Sequence, residues 1–258
     1  MPKFRIRSSS NESSALEASD WSSAISKIMG RMPRGGGTVN IGLDEDGATE
    51  VWTDGDSERF VIDTDDGVGS AFEMPDVPTA DLWDAPLPGS GAQIARVPDD
   101  VEQEVIDRQV TDLVSKGSDA AACGQALNLL LTHIPAESGS VLLAEGSHLR
   151  FTAVRGPHSK ELEGTAIPIE KGIAGAVASS GRTILVKEAR RNPHHDASVD
   201  QSVNHITRTI LAVPIGVKGT VIGVLELLNP FGTDTFDGWH QDLTKQVAGA
   251  LAGRFLAR

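Results

Sequence analysis

Apolar and polar residues alternate over KFRIR (3–7), the period of a strand, and after the Ser-rich SSSNESS the spacing changes. Leu16, Trp21, Ile25, Ile28 and Met29 then recur at roughly helical intervals until Gly35-Gly36-Gly37 ends the run. Three short β-like runs follow, TVNIGL, ATEVWT and RFVID, separated by DEDG and DGDS, both of hairpin-turn composition. The pattern predicts a small acidic β-α-β-β-β domain over residues 1–70, with Trp21 and Trp52 in its core. Periodicity then lapses over 71–98. Residues 74–98 hold five of the thirteen prolines together with Gly and Ser, the composition of an extended linker. Leu82-Trp83 is an isolated apolar pair within it, suited to docking.

From residue 99 the helical period returns, with Val101, Val105, Ile106, Val110, Leu113 and Val114 on one stripe. KGSD interrupts it, where Gly117 can end one helix and Ser118 cap the next, DAAACGQALNLLLTHI. SVLLAE and LRFTAVRG flank the turn EGSH. GTAIPI, the helical GIAGAVASSG, TILV and a long polar loop come next, then RTILAVPIGV and GTVIGVLELL joined by KG. A last helix carries Trp239, Leu243, Val247, Leu251 and Phe255 at every fourth position. Helices at both ends of an antiparallel sheet make residues 99–258 an α+β domain.

Composition narrows the functional classes. The net charge of −13 is uneven: residues 1–98 hold 17 acidic and 8 basic side chains, residues 99–258 hold 19 and 15. That balance argues against nucleic acid, which demands a basic footprint. No apolar run approaches the ~20 residues of a membrane helix, and the N-terminus lacks the apolar stretch of a signal peptide, so the expected setting is cytoplasmic and off the membrane. The one cysteine, Cys123, can form no internal disulfide, and amid AAAC it reads as a core residue.

His194, His195 and Asp196, with Asp200 and His205, bring metal-capable side chains into one loop. Their spacing fits no metal motif, and no metal is expected. EKGIAGAVASSG lacks the order of a phosphate loop, yet Gly172 can turn the chain into a helix whose first N–H groups, at Ile173 and Ala174, lack helical acceptors. That end can take an anion or a carbonyl. No nucleophile, paired-carboxylate or metal constellation supports catalysis, so no catalytic residue is assigned.

Taken in order, IPAESGSVLL, KGIAGAVASSG, NPHHDASVDQSVNHITRTILAVPI, VIGVLELLNP and the restart at Phe236 resemble a GAF domain over about residues 117–257. The resemblance implies a six-stranded antiparallel sheet flanked by helices, a pocket under the long loop, and a homodimer through the terminal helices. Cyclic-nucleotide-binding members carry Asn-Lys, then Phe, then Asp-Glu, with an ion pair between Lys and Asp. Asn229 and Phe236 match here, whereas Pro230, His240 and Gln241 stand at the Lys, Asp and Glu positions. The corner is therefore expected to be a structural latch, without tight cyclic-nucleotide binding. Val203 stands where those members often place a hydroxyl. The same resemblance implies ligand contacts from Ile173, Ala174, Thr207 and Glu226. The family's methionine sulfoxide reductases use several cysteines, which this chain lacks. The expectation is a non-enzymatic signalling protein that binds an unidentified small molecule, with no cofactor assigned and output through a partner protein. An adaptor without a ligand is the alternative, and a redox enzyme the remote one.

Overall fold

A computed structural model of the chain describes residues 3–8, 13–17, 21–32, 37–43, 49–54, 59–64, 98–113, 117–187, 207–217 and 219–256. The first half holds β1 (Lys3–Ser8), β2 (Ser13–Glu17), α1 (Trp21–Arg31), β3 (Val39–Leu43), β4 (Thr49–Thr53) and β5 (Arg59–Thr64). Helices α2 (Asp100–Asp112) and α3 (Asp119–His133) follow, then β6 (Ala136–Glu145), β7 (His148–Arg155), the single-turn α4 (Ser159–Leu162) and β8 (Ala166–Pro168). The chain continues through α5 (Gly172–Ser180), β9 (Ile184–Val186), β10 (Ile210–Val217), β11 (Thr220–Pro230) and α6 (Gly238–Leu256).

Strands β6 to β11 form the antiparallel six-stranded set in the order β9-β10-β11-β6-β7-β8. Alternation assigns its two faces. Leu142, Val154, Ile184, Val186, Ala212 and Val224 pack on the face that carries α5, and Val141, Leu185, Leu211, Val213, Leu225 and Leu227 pack with α2, α3 and α6. Each face is apolar, so β10 and β11 read as continuous hydrophobic runs. A bulge opposite Val141/Leu142 puts Ala153 on the helix-rich face while Phe151 and Val154 stay on the other.

The N-terminal elements differ from the β-α-β-β-β expectation in two respects. Ser13–Glu17 is a strand, paired antiparallel to β1 with Leu16 opposite Phe4, so Leu16 does not belong to the helix. The five strands β2-β1-β5-β4-β3 also continue the first sheet, because β3 runs parallel to β9 with Val39, Asn40 and Ile41 opposite Ile184, Leu185 and Val186. The outcome is one sheet of eleven strands. Helix α1 buries Ala24, Ile25, Ile28 and Met29 in the same core as Val39, Val51, Phe60, Ile173 and Val177. Trp52 is half-buried rather than core, with Arg59 and Lys187 5.3 and 5.4 Å from its ring centre. The side chain of Trp21, and all of Leu82, Trp83 and Val114, lie outside the described residues.

Caps set the ends of the helices. Asp99 accepts from the backbone of Val101 and Glu102 while Glu102 bonds back to Asp99, and Ser118 Oγ accepts from Ala121 N–H at 3.2 Å. The α2 stripe is only partly used: Ile106, Val110 and Leu113 are buried, whereas Val101 is 73% exposed and Val105 47%. No helix among the described residues is long and apolar enough to cross a membrane.

Candidate functional site

Helix α5 is the only element after α1 to cover the Ala212–Val224 face among the described helices longer than one turn. Gly172, at φ 66°, turns the chain into it, and Gly181, at φ 66°, ends it. Lys171 at the N-cap offers no side-chain cap, so the first turn has no capping acceptor from that residue. Ile173 and Ala174 begin the helix and are buried in the core shared with Ala212 and Val224. A close approach holds the helix down. A Cβ on Gly175 would stand 2.6 Å from Ile169 O and 2.8 Å from Glu170 C, so only glycine fits there.

Glu226 lies on that same face. It follows Val224 by two residues on β11, and its cross-strand neighbours are Ala212 on β10 and Ser140 on β6. Ser140 Oγ donates to Glu226 Oε2 at 3.4 Å, and Ser140 is buried. The sequence left the direction of Glu226 open, since Val224 and Leu225 flank it on opposite faces; the register assigns it to the α5 side. A half-buried carboxylate beside a hydroxyl on an apolar floor is an acceptor for a donor-bearing group. Thr207 is buried just ahead of β10. Ile173 and Ala174 thus lie in the core on the face to which the register assigns Glu226, and Thr207 stands just ahead of β10. Ser140 was not singled out from the sequence, where it is one of several small polar residues in PAESGS; only its register opposite Glu226 distinguishes it.

The corner that closes β11 is held by Asn229, fully buried and at φ 54°. Its Oδ1 accepts from Arg208 N–H at 2.7 Å and Thr209 N–H at 3.2 Å, and its Nδ2 donates to Glu137 Oε2 at 2.7 Å. One side chain thereby ties the starts of β10 and β6 to the end of β11. Phe236 is buried edge-on to the His240 ring, 6.0 Å between centres. His240 Nδ1 accepts from Asp237 N–H at 3.1 Å while His240 N–H donates to Asp237 Oδ1 at 2.9 Å, a reciprocal cap at the start of α6. Burial pushes the His240 imidazole below its ordinary pKa, partly opposed by the Asp237 carboxylate. With Nδ1 accepting, Nε2 carries the proton and is buried without a hydrogen-bond partner. Gln241 Oε1 accepts from the buried Thr38 hydroxyl at 2.6 Å, so the residue in the family's Glu position binds the N-terminal segment.

Cys123 is fully buried, and desolvation, with Asp119 nearby, pushes its thiol up to about 12, far from thiolate at neutral pH. The described residues contain no group of three or more metal-capable side chains; His194, His195, Asp196, Asp200, Val203 and His205 lie outside them.

Comparison with known proteins agrees with this architecture. A family profile described as GAF domain matches residues 120–255. The chain is 32% identical over 137 residues to the dual 3',5'-cyclic-AMP and -GMP phosphodiesterase 11 of Drosophila melanogaster, covering 50% of this chain and 9% of that enzyme. Curated phosphodiesterases of this kind are far longer, the match spanning 8% to 11% of their length. Among solved structures, the GAF domain of a phosphoenolpyruvate-protein phosphotransferase from Coxiella burnetii superposes with a TM-score of 0.55 at 18% identity, over 62% of this chain and 96% of that one. Free methionine-R-sulfoxide reductase from Neisseria meningitidis, in complex with its substrate, superposes with a TM-score of 0.52 at 22% identity, over 63% and 93%.

Proposed function

The chain belongs to the GAF domain family, and on that premise we propose that it is a non-catalytic signalling protein. Its α5 face receives a small molecule, and its output passes to a partner protein. The observation that carries the reading is Glu226, a half-buried carboxylate on an apolar strand, turned to the α5 side and accepting from the buried Ser140 hydroxyl. Ile173 and Ala174 at the uncapped start of α5, and Thr207 at the start of β10, complete the proposed contacts. A ligand that brings an N–H or O–H donor to Glu226 and a carbonyl or other acceptor to the start of α5 suits this set.

Two family activities fit the residues less well. The cyclic-nucleotide corner has Pro230, His240 and Gln241 in place of its charged residues, and Asn229 with the Asp237–His240 cap holds the turn instead. A sulfoxide reductase needs a reactive thiolate, and the single cysteine is sealed in the core. The exposed Val101 and Val105 favour a second reading, in which α2 serves self-association and docking.

Native mass spectrometry of freshly purified protein separates the two. A retained small molecule, lost on Glu226→Gln with an unchanged melting temperature, is the expected result. Unchanged retention in that variant refutes the Glu226 assignment, and a dimer without any ligand favours the adaptor.

A further inference from the structure

Residues 3–64 grip the elements that frame the α5 face. Val39 N–H donates to Thr183 O and Lys187 N–H to Ile41 O, each at 2.9 Å, so β3 is bonded along the whole of β9. Arg182, in the turn from α5 to β9, donates to Gly37 O at 3.3 Å. Lys187, which follows β9, also places its ammonium 5.4 Å from the Trp52 ring centre. Across the sheet, the Thr38 hydroxyl closes on Gln241 at the start of α6. Helix α1 packs directly against α5, their apolar residues forming one core.

We propose that this N-terminal segment is the intramolecular receiver of the site: a displacement of α5 is passed to α1 and β3, and docking of residues 3–64 in turn sets where α5 sits. The inference rests on the reading of the α5 face as a ligand site. Its physical basis is that α1 and α5 pack against each other on one face of the sheet, and that α5 has a sequence, GIAGAVASS, with few long side chains to absorb a shift. Close-packed surfaces of Gly and Ala transmit displacement instead of damping it. Strand β9, bonded to β3 on one edge and β10 on the other, carries the same constraint to the end of the site helix. Coupling of this kind is reciprocal, so it is measurable from either side without a ligand.

Hydrogen–deuterium exchange of the full chain tests it. Thr38→Val removes the hydroxyl that binds Gln241, and Ile28→Ala opens the α1 core. Both are expected to speed exchange of the Ile173–Val177 amides by about tenfold more than that of the α3 amides on the opposite face. In reverse, Gly175→Ala, which forces α5 away from Ile169 and Glu170, is expected to speed exchange in α1. Faster exchange in α1 and β3 with α5 unchanged overturns the proposal, and so does equal acceleration in α3, which reports general loosening. If Ile28→Ala fails to fold, Thr38→Val decides. Because no ligand enters the measurement, its failure leaves the ligand reading standing, and failure to find a ligand leaves the coupling measurable.

Discussion

Asn229 concentrates more structure in one side chain than any other residue of the corner. Its left-handed backbone is costly for most residues but tolerated by asparagine, and its amide satisfies two N–H groups and one carboxylate in a site closed to water. Asn229→Ala keeps the strained φ and removes those bonds; a loss of about 2–4 kcal/mol in urea denaturation is expected. His240 supplies a pH dependence. Its folded pKa is lowered by burial, as is that of His133, so below the ordinary histidine value of 6.5 the unfolded chain takes up protons that the folded chain resists. The stability they contribute is present above that value and declines as pH falls toward the folded pKa. His240→Asn, which keeps an acceptor near the Nδ1 position, is expected to flatten the fall in melting temperature between pH 7 and about pH 5; an unaltered slope would show that the ring titrates freely. The sequence pointed to this corner by its mismatch with the family's charged motif. It could not show that Gln241 is engaged, because the partner, Thr38, lies far away in the chain.

Among the elements, α5 was legible to the residue, since Gly172 and Gly181 bracket an apolar helix and both adopt the left-handed conformation. Strand β2 was not, because SSALE carries no alternation and gains its assignment only by pairing with β1. Helix α2 was half legible: its period was right, but Val101 and Val105 lie beyond the reach of α3 and α6, so periodicity overstated the buried face. The same α5 carries the element-scale prediction. Gly175→Ala drives a methyl into the backbone of residues 169–170, which cannot yield as a side-chain tip would. A loss of about 1–3 kcal/mol is expected. Gly253→Ala on α6, where a Cβ meets nothing within 4 Å, is the matched control and is expected to hold or raise stability.

For the whole molecule, linker composition suggested a small domain tethered to a larger one, and nothing local in VNIGL or ILV marks them as partners. Parallel pairing between distant segments leaves no turn signature, unlike the NG or DG of a hairpin. The described residues form two cores, one on each side of a continuous sheet, and the core on the α5 side runs without a break from Ile6 through α1 and β3 to Val177 and Val224. A shared core makes the N-terminal segment and the GAF fold unfold together, because neither α1 nor the edge of β9 is covered without the other. Calorimetry of the full chain should then give one transition whose calorimetric and van't Hoff enthalpies agree, and Ile28→Ala in α1 should lower that single midpoint. Two separable transitions, with only the smaller moved by Ile28→Ala, would mean that the β3–β9 seam opens before either half melts and that residues 3–64 behave as an independent unit.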